Sequence, residues 1–234
     1  MAVNINTVYQ RVLAILNKEQ RGFVSPVEFN LFANQAQMDI FEQYFYDLNQ
    51  FLRVPGNETR HADPVDILEE KIDIFEKFRQ DVTMSSGGVG TLPSNVYRLG
   101  NLSFNTGTDY VEIEHINQNH LNPIISSPLT SPTTERPIYI KTSETAIQVY
   151  PTSITSGVTC NYIAAPTKAE FGFTTVLNAP QYNASLSTNF ELHHSEETKL
   201  VVKILALAGL EIKDVPLYQV DSAEDNKNVQ QEKQ

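Results

Sequence analysis

"TMSSGGVGTLP", residues 83–93, divides this chain into two kinds of sequence. Before it, apolar residues recur every three or four positions; after it, they alternate every second one. Its serines and glycines read as a flexible connector or hinge. A phosphate-binding loop would need Gly-Lys-Ser/Thr opening a helix, and no lysine follows these glycines. The divide sets the expected fold class as α+β: N-terminal helices and a C-terminal helix packed with a central antiparallel β-region, followed by an extended C-terminal tail.

Working backward, "NINTVYQRVLAIL" places Ile5, Val8, Tyr9, Val12, Leu13 and Leu16 on one helical face. In "GFVSPVEFN", Ser25 can cap a helix, Pro26 suits its first position and Glu28 completes a capping box. That helix is expected to reach about Leu52, with Phe29, Ala33, Ala36, Ile40, Tyr44 and Leu48 inward. Asn30, Asn34, Gln37, Gln43 and Asp47 then form its polar side. After the turn-rich "RVPGNETRHAD", Asp63 and Pro64 repeat the cap-plus-proline signal and open a third helix through "VDILEEKIDIFEKF".

Working forward, "NVYRLGNLSF", "DYVEIEHI", "PIYIKT", "AIQVYP" and "VTCNYIAAP" read as strands of an antiparallel sheet with one wet face. "KTSET" suits a hairpin connection between the third and fourth. Residues 117–137 hold four prolines and little periodicity, so they read as a long loop or protruding arm. Pro123, Pro128 and Pro132 mark it as a surface for a neighbouring subunit or another partner. "LNAPQYNASLSTN" reads as irregular, and a last helix is expected from Glu196 to about Ala208, ending at Gly209. The division is therefore residues 1–83 helical, 84–175 strands with the long loop, 176–210 connector and closing helix, and 211–234 a polar tail.

Seventeen basic residues stand against 28 acidic ones, a net charge of −11. Affinity for nucleic acid comes mainly from cations neutralising phosphates, so general DNA binding is disfavoured while passage of DNA nearby is not. Cys160 is the only cysteine, which excludes an intrachain disulfide and a Cys-based zinc cluster. The start lacks the basic region and apolar run of a signal peptide, and no stretch has the length of a membrane span. The sequons at Asn57, Asn101 and Asn183 then carry no meaning, and synthesis in a cytoplasm is expected.

"FELHHSEETKLVVKILALAG", residues 190–209, looks at first like chemistry. Ser195 is expected to cap the last helix, Glu196 and Glu197 to favour its dipole, and Glu196 to pair with Lys199. His193 and His194, adjacent in extended chain, should point to opposite sides and not share an ion. His115 and His120 lack a carboxylate between them to orient a ligand, and Cys160 sits among apolar neighbours as an inert thiol. Glu112 and Glu114 share a wet face. No serine lies in a nucleophile elbow. The expectation is no enzyme, no catalytic residues, no cofactor and no metal.

The element order resembles the head-to-tail connector, or adaptor, proteins of tailed bacteriophages, including the tail tubular protein A group. The match is carried by "LPSNVYRL" and by "IQVYPT…VTCNYIAAP" within an order that covers nearly the whole chain. "GFVSPVEFNLFANQAQMDIFEQYF" and the ending "NVQQEKQ" look like virion structural proteins of crAss-like phages. Such a resemblance implies a virion protein at the head–tail interface, forming a ring of commonly about twelve copies below the portal protein. Its partners would be the portal, neighbouring copies and other tail proteins, with no membrane, and DNA would pass through the channel without sequence-specific binding. Helices would surround the channel, and an extended C-terminus would reach into the portal. That role would fall on the tail from about Val215 to Gln234, with Leu217, Tyr218, Val220, Asn228, Val229, Gln230, Gln231 and Gln234 meeting the portal or a neighbouring subunit. Helical adaptors of some phages lack a sizeable β-region, which leaves the subgroup open. Another virion part, such as a tail hub or minor capsid protein, and a non-viral binding module share the same composition.

Overall fold

The computed structural model describes residues 2–18, 24–52, 64–177 and 179–211. The expected Asp63 cap and every tail residue named above lie outside them. In chain order the elements are β1 (Ala2–Val3), α1 (Ile5–Lys18), α2 (Pro26–Phe51), α3 (Pro64–Asp73), β2 (Glu76–Asp81), β3 (Thr83–Met84) and β4 (Val89–Thr91). There follow β5 (Val96–Asn105), β6 (Tyr110–His115), α4 (Gln118–Ser126), β7 (Ile138–Lys141), β8 (Ala146–Tyr150) and β9 (Val158–Ala164). The chain closes with β10 (Phe173–Val176), β11 (Ala179–Tyr182), β12 (Phe190–His193) and α5 (Glu197–Glu211). The fold is α+β, in two compact units: Met1–Ile74 with Pro166–Gln234, and Phe75–Ala165.

The first unit is helical because its apolar spacing is. Ile5, Val8, Tyr9, Val12 and Leu16 of α1 are buried, as are Phe29, Ala33, Ala36, Ile40 and Tyr44 of α2. Leu200, Ile204 and Leu205 of α5 complete this core, each such side chain contributing about 1.5–3 kcal/mol. The capping box forms as read: Glu28 N–H donates to Ser25 Oγ at 3.3 Å, and Ser25 N–H donates to Glu28 Oε2 at 2.8 Å. α5 continues past Gly209 to Glu211.

The polar side of α2 is not the wet face expected. Asn30, Asn34 and Gln37 hold an extended run of chain from Thr167 to Phe171. Asn34 donates from Nδ2 to Ala169 O and accepts from Ala169 N–H at Oδ1, both at 2.9 Å. Asn30 does the same for Phe171, at 3.3 and 2.8 Å. Gln37 donates to Thr167 O at 2.8 Å and accepts from Glu191 N–H at 3.3 Å. Four helical residues advance about 6 Å and two extended residues about 6.7 Å, so side-chain amides spaced three to four apart can serve alternate residues of a strand. They act as the neighbouring strand would. Nearby, the β10–β11 hairpin closes on Gly172, where a Cβ would come within 2.4 Å of the Leu186 carbonyl carbon.

The second unit is an eight-stranded sheet in the order β2-β9-β5-β6-β7-β8-β4-β3. All five strands expected from alternation are present, and the β7–β8 connection is a hairpin. Its core gathers Leu102, Ile113, Ile147, Val149, Val158 and Cys160. Four expectations are corrected here. The third helix stops at Asp73, and residues 76–81 form edge strand β2 against β9, so the helical region does not extend to residue 83. Its side chains are all exposed, which hides the two-residue period from the sequence.

The hinge is instead a tight hairpin joining β3 and β4. Ser85 N–H bonds Val89 O at 2.7 Å, with Gly87 and Gly88 at φ +82° and +77°. A Cβ on Gly88 would meet Val149 O at 2.5 Å, so glycine is required twice over. Finally, the sheet is mixed, because β6 and β7 run parallel. Parallel neighbours need a crossover of a dozen residues or more, and residues 116–137 supply it. The long loop is that crossover, with α4 inside it. Residues 173–182, read partly as irregular, form a hairpin belonging to the helical unit.

Candidate partner interfaces

Among the expected contact residues, only the three prolines are described. Pro123 lies within α4, exposed, and its missing N–H sits on a helix with no buried residue. Pro128 is exposed and Pro132 half-buried in the return toward β7. The crossover they punctuate walls a groove of about 460 Å³, whose lining includes none of the three. Ile124, Leu129 and Arg136 line one side, and Glu112 and Glu114 of β6 the other. Leu129 is 93% exposed, an apolar side chain held out where nothing in this unit covers it.

A second groove, of about 350 Å³, lies across β2, β9 and β5 and was missed in the sequence. Phe78, Leu99 and Ile163 give it an apolar floor, with Glu76, Lys77 and Arg98 beside them. Gly100 keeps that floor low, since a Cβ there would press within 3.0 Å of Asn161 O. A bulge interrupts β2 between Lys77 and Gln80. In it Arg79 takes φ +49°, a left-handed conformation costly for any residue but glycine. Three contacts hold it there: its N–H donates to Asn161 Oδ1 at 2.9 Å, and its guanidinium lies 4.0 Å from the centre of the Tyr110 ring and 4.9 Å from that of Phe78. The only sequence signal was Phe78, an aromatic alone among charged residues in "EKFRQD".

The double-histidine stretch is a structural junction. A short 3-10 turn, His194–Glu196, precedes α5, and the cap is His193, not Ser195. His193 Nδ1 lies 2.8 Å from Ser195 Oγ and accepts from Ser195 N–H at 3.4 Å. The two imidazoles do not diverge as expected; they pack with centroids 4.2 Å apart. Glu196 pairs with Lys71 of α3 at 2.7 Å rather than with Lys199, and Glu197 with Arg11 of α1 at 2.9 Å. The 3-10 turn and the start of α5 thereby tie together three helices.

Burial, and then the charge of His194, hold the His193 imidazole below its ordinary pKa of 6.5. The folded protein favours neutral His193, so this contribution is whole above about pH 6.5 and is lost as pH falls through the lowered value. Wild type should lose stability between pH 7.5 and 5 by more than His193→Asn, whose side chain caps without titrating. Parallel urea melts at those pH values check this; identical slopes would refute it.

Other chemical candidates are equally settled into packing. Cys160 is buried, and burial followed by the charge of Asp81 pushes its thiol up to about 11. His115 packs against Tyr139 at 5.0 Å between centroids. Among the described residues, no group of three or more His, Cys, Asp or Glu could hold a metal ion, and no helix is long and apolar enough to cross a membrane. No protein-family model matches the sequence, and no curated protein matches it.

Proposed function

We propose that this chain is a non-enzymatic virion protein that assembles as a ring at the portal vertex of a tailed phage, joining head to tail around the DNA channel. The observation that carries the reading is the resemblance in "LPSNVYRL" and "IQVYPT…VTCNYIAAP", stretches that lie in and around β5, β8 and β9. Two physical features support it. The chemical-looking residues serve in caps, ion pairs and packing, which suits a protein that works by shape. The acidity is also uneven: five of 17 basic and seven of 28 acidic residues fall within 75–165, leaving 12 against 21 elsewhere. An acidic helical unit lining a channel would keep passing DNA from adhering.

The ring is expected to form only on the portal, where modest contacts repeated around a closed circle give avidity that one copy lacks. Mixing purified portal with this protein and sizing the product should give a complex of many copies, with the free protein monomeric. Stable rings without portal would refute the portal-dependent assembly. Deleting residues 225–234 should abolish co-sedimentation with the portal and leave the circular dichroism unchanged. Undiminished co-sedimentation would remove the tail from portal docking.

A further inference from the structure

Lys77, Arg79 and Arg98 are three of the five basic residues between Phe75 and Ala165; Lys77 and Arg98 line the groove across β2, β9 and β5 together with Glu76, and Arg79 follows Phe78 in the bulge of β2. An edge strand guarded against unwanted pairing would account for Lys77 and the bulge. It does not account for Phe78, which is 67% exposed beside an apolar hollow. Nor does it account for an arginine held at φ +49° by one amide and two rings, Phe78 and Tyr110. Backbone strain over-determined by its surroundings is characteristic of ligand clamps. The groove therefore suits a peptide with apolar side chains for the floor and carboxylates for the rim.

The chain carries such a peptide itself. Residues 217–224, "LYQVDSAE", present Leu217, Tyr218 and Val220 followed by Asp221 and Glu224, with no basic residue among them. They belong to the last 23 residues, 212–234, beyond α5. We infer that residues 217–224 of one copy dock in the β2–β9–β5 groove of another, with the apolar side chains against Phe78, Leu99 and Ile163 and the carboxylates toward Lys77 and Arg98. The inference rests on the multi-copy reading above and gives it an internal fastening, separate from residues 225–234 assigned to the portal. A contact of this kind joins unlike surfaces on successive copies, the arrangement that closes into rings. Its charged rim makes it weaken with salt.

Full-length chains carrying Val220→Cys and Phe78→Cys, mixed with purified portal and oxidised with copper phenanthroline, test it. Cys160 stays silent because it is buried with a thiol pushed up to about 11. A disulfide-linked pair of chains is expected, at least tenfold above the yield when Glu144→Cys, on an exposed turn, replaces Phe78→Cys. Adding Lys77→Glu and Arg98→Glu should cut the yield about tenfold, and Asp221→Lys with Glu224→Lys in the other chain should restore it. Yields equal to the Glu144 control, or indifferent to charge reversal, overturn the inference. So does closure of a doubly substituted chain on itself at every dilution, which would make the contact intramolecular. Sizing on the portal reports separately: rings without the cross-link sink this docking alone, whereas a cross-link without rings sinks the connector reading and leaves the docking standing.

Discussion

Glu196→Ala should lower the stability of the fold by about 3 kcal/mol, the largest effect expected from any single charged residue described here. The Glu196 side chain is 5% exposed and that of Lys71 14%, with 2.7 Å between Oε1 and Nζ. At that depth the cost of removing both charges from water has been met by their pairing. Deleting one leaves the other ammonium or carboxylate without compensation, which costs far more than losing a surface ion pair. Lys71 Nζ also lies 5.8 Å from the centre of the Tyr44 ring, a contact too weak to replace a carboxylate. The reciprocal Lys71→Ala should cost a similar amount, and Lys71→Met with Glu196→Leu should recover most of it, because no charge then remains buried. Urea unfolding at pH 7 reads all three. A loss below about 1 kcal/mol for Glu196→Ala would mean that the pair behaves as a solvated one.

Asn34→Ala comes next, at about 3 kcal/mol, by a different route. The side chain satisfies both the N–H and the C=O of Ala169, and Ala169 is buried. Removing the amide strands two backbone groups out of reach of water, each at about 1–3 kcal/mol. Gln35→Ala is the control: it is exposed, bonds only Asp39 among the hydrogen bonds described, and should change stability by less than about 0.5 kcal/mol. Amide hydrogen exchange at Ala169 should accelerate in the Asn34 variant before global unfolding does. Unchanged protection would show that the extended run is held by its apolar neighbours and not by the amides.

Both effects concern residues whose types were visible in the sequence and whose partners were not. Asn30, Asn34 and Gln37 are spaced as one side of a helix, and polar residues on such a side ordinarily face water. What reverses this is a strand arriving from 130 or more positions away. Glu196 had a cation one turn along in Lys199, yet it bonds Lys71, because α3 packs at the start of α5 and a buried partner outcompetes a solvated one. His193 displaced Ser195 as the cap once a 3-10 turn shifted the helix start by two residues.

The interfaces divide in the same way. The Pro/Ser/Thr crossover was legible as unusual, but its reason, a parallel pairing of β6 with β7, resides in the sheet order. The groove beside Phe78 depends on a bulge and on Arg79 at positive φ, neither of which leaves a mark on residue type.

The sequence by itself determined the elements that local physics decides: the faces of α1, α2 and α5, the Ser25–Glu28 box, and the positions of five strands, of which β8 buries strictly alternate residues. Periodicity and capping act over a few residues, so they can be read from a few residues. Only the tertiary structure decided that 76–81 would be an edge strand, that the glycines of 87–88 would turn a hairpin, and that a helix would present amides as though it were a strand. Those outcomes depend on which distant backbone needs hydrogen bonds, and a buried amide takes whatever partner the fold brings within 3 Å.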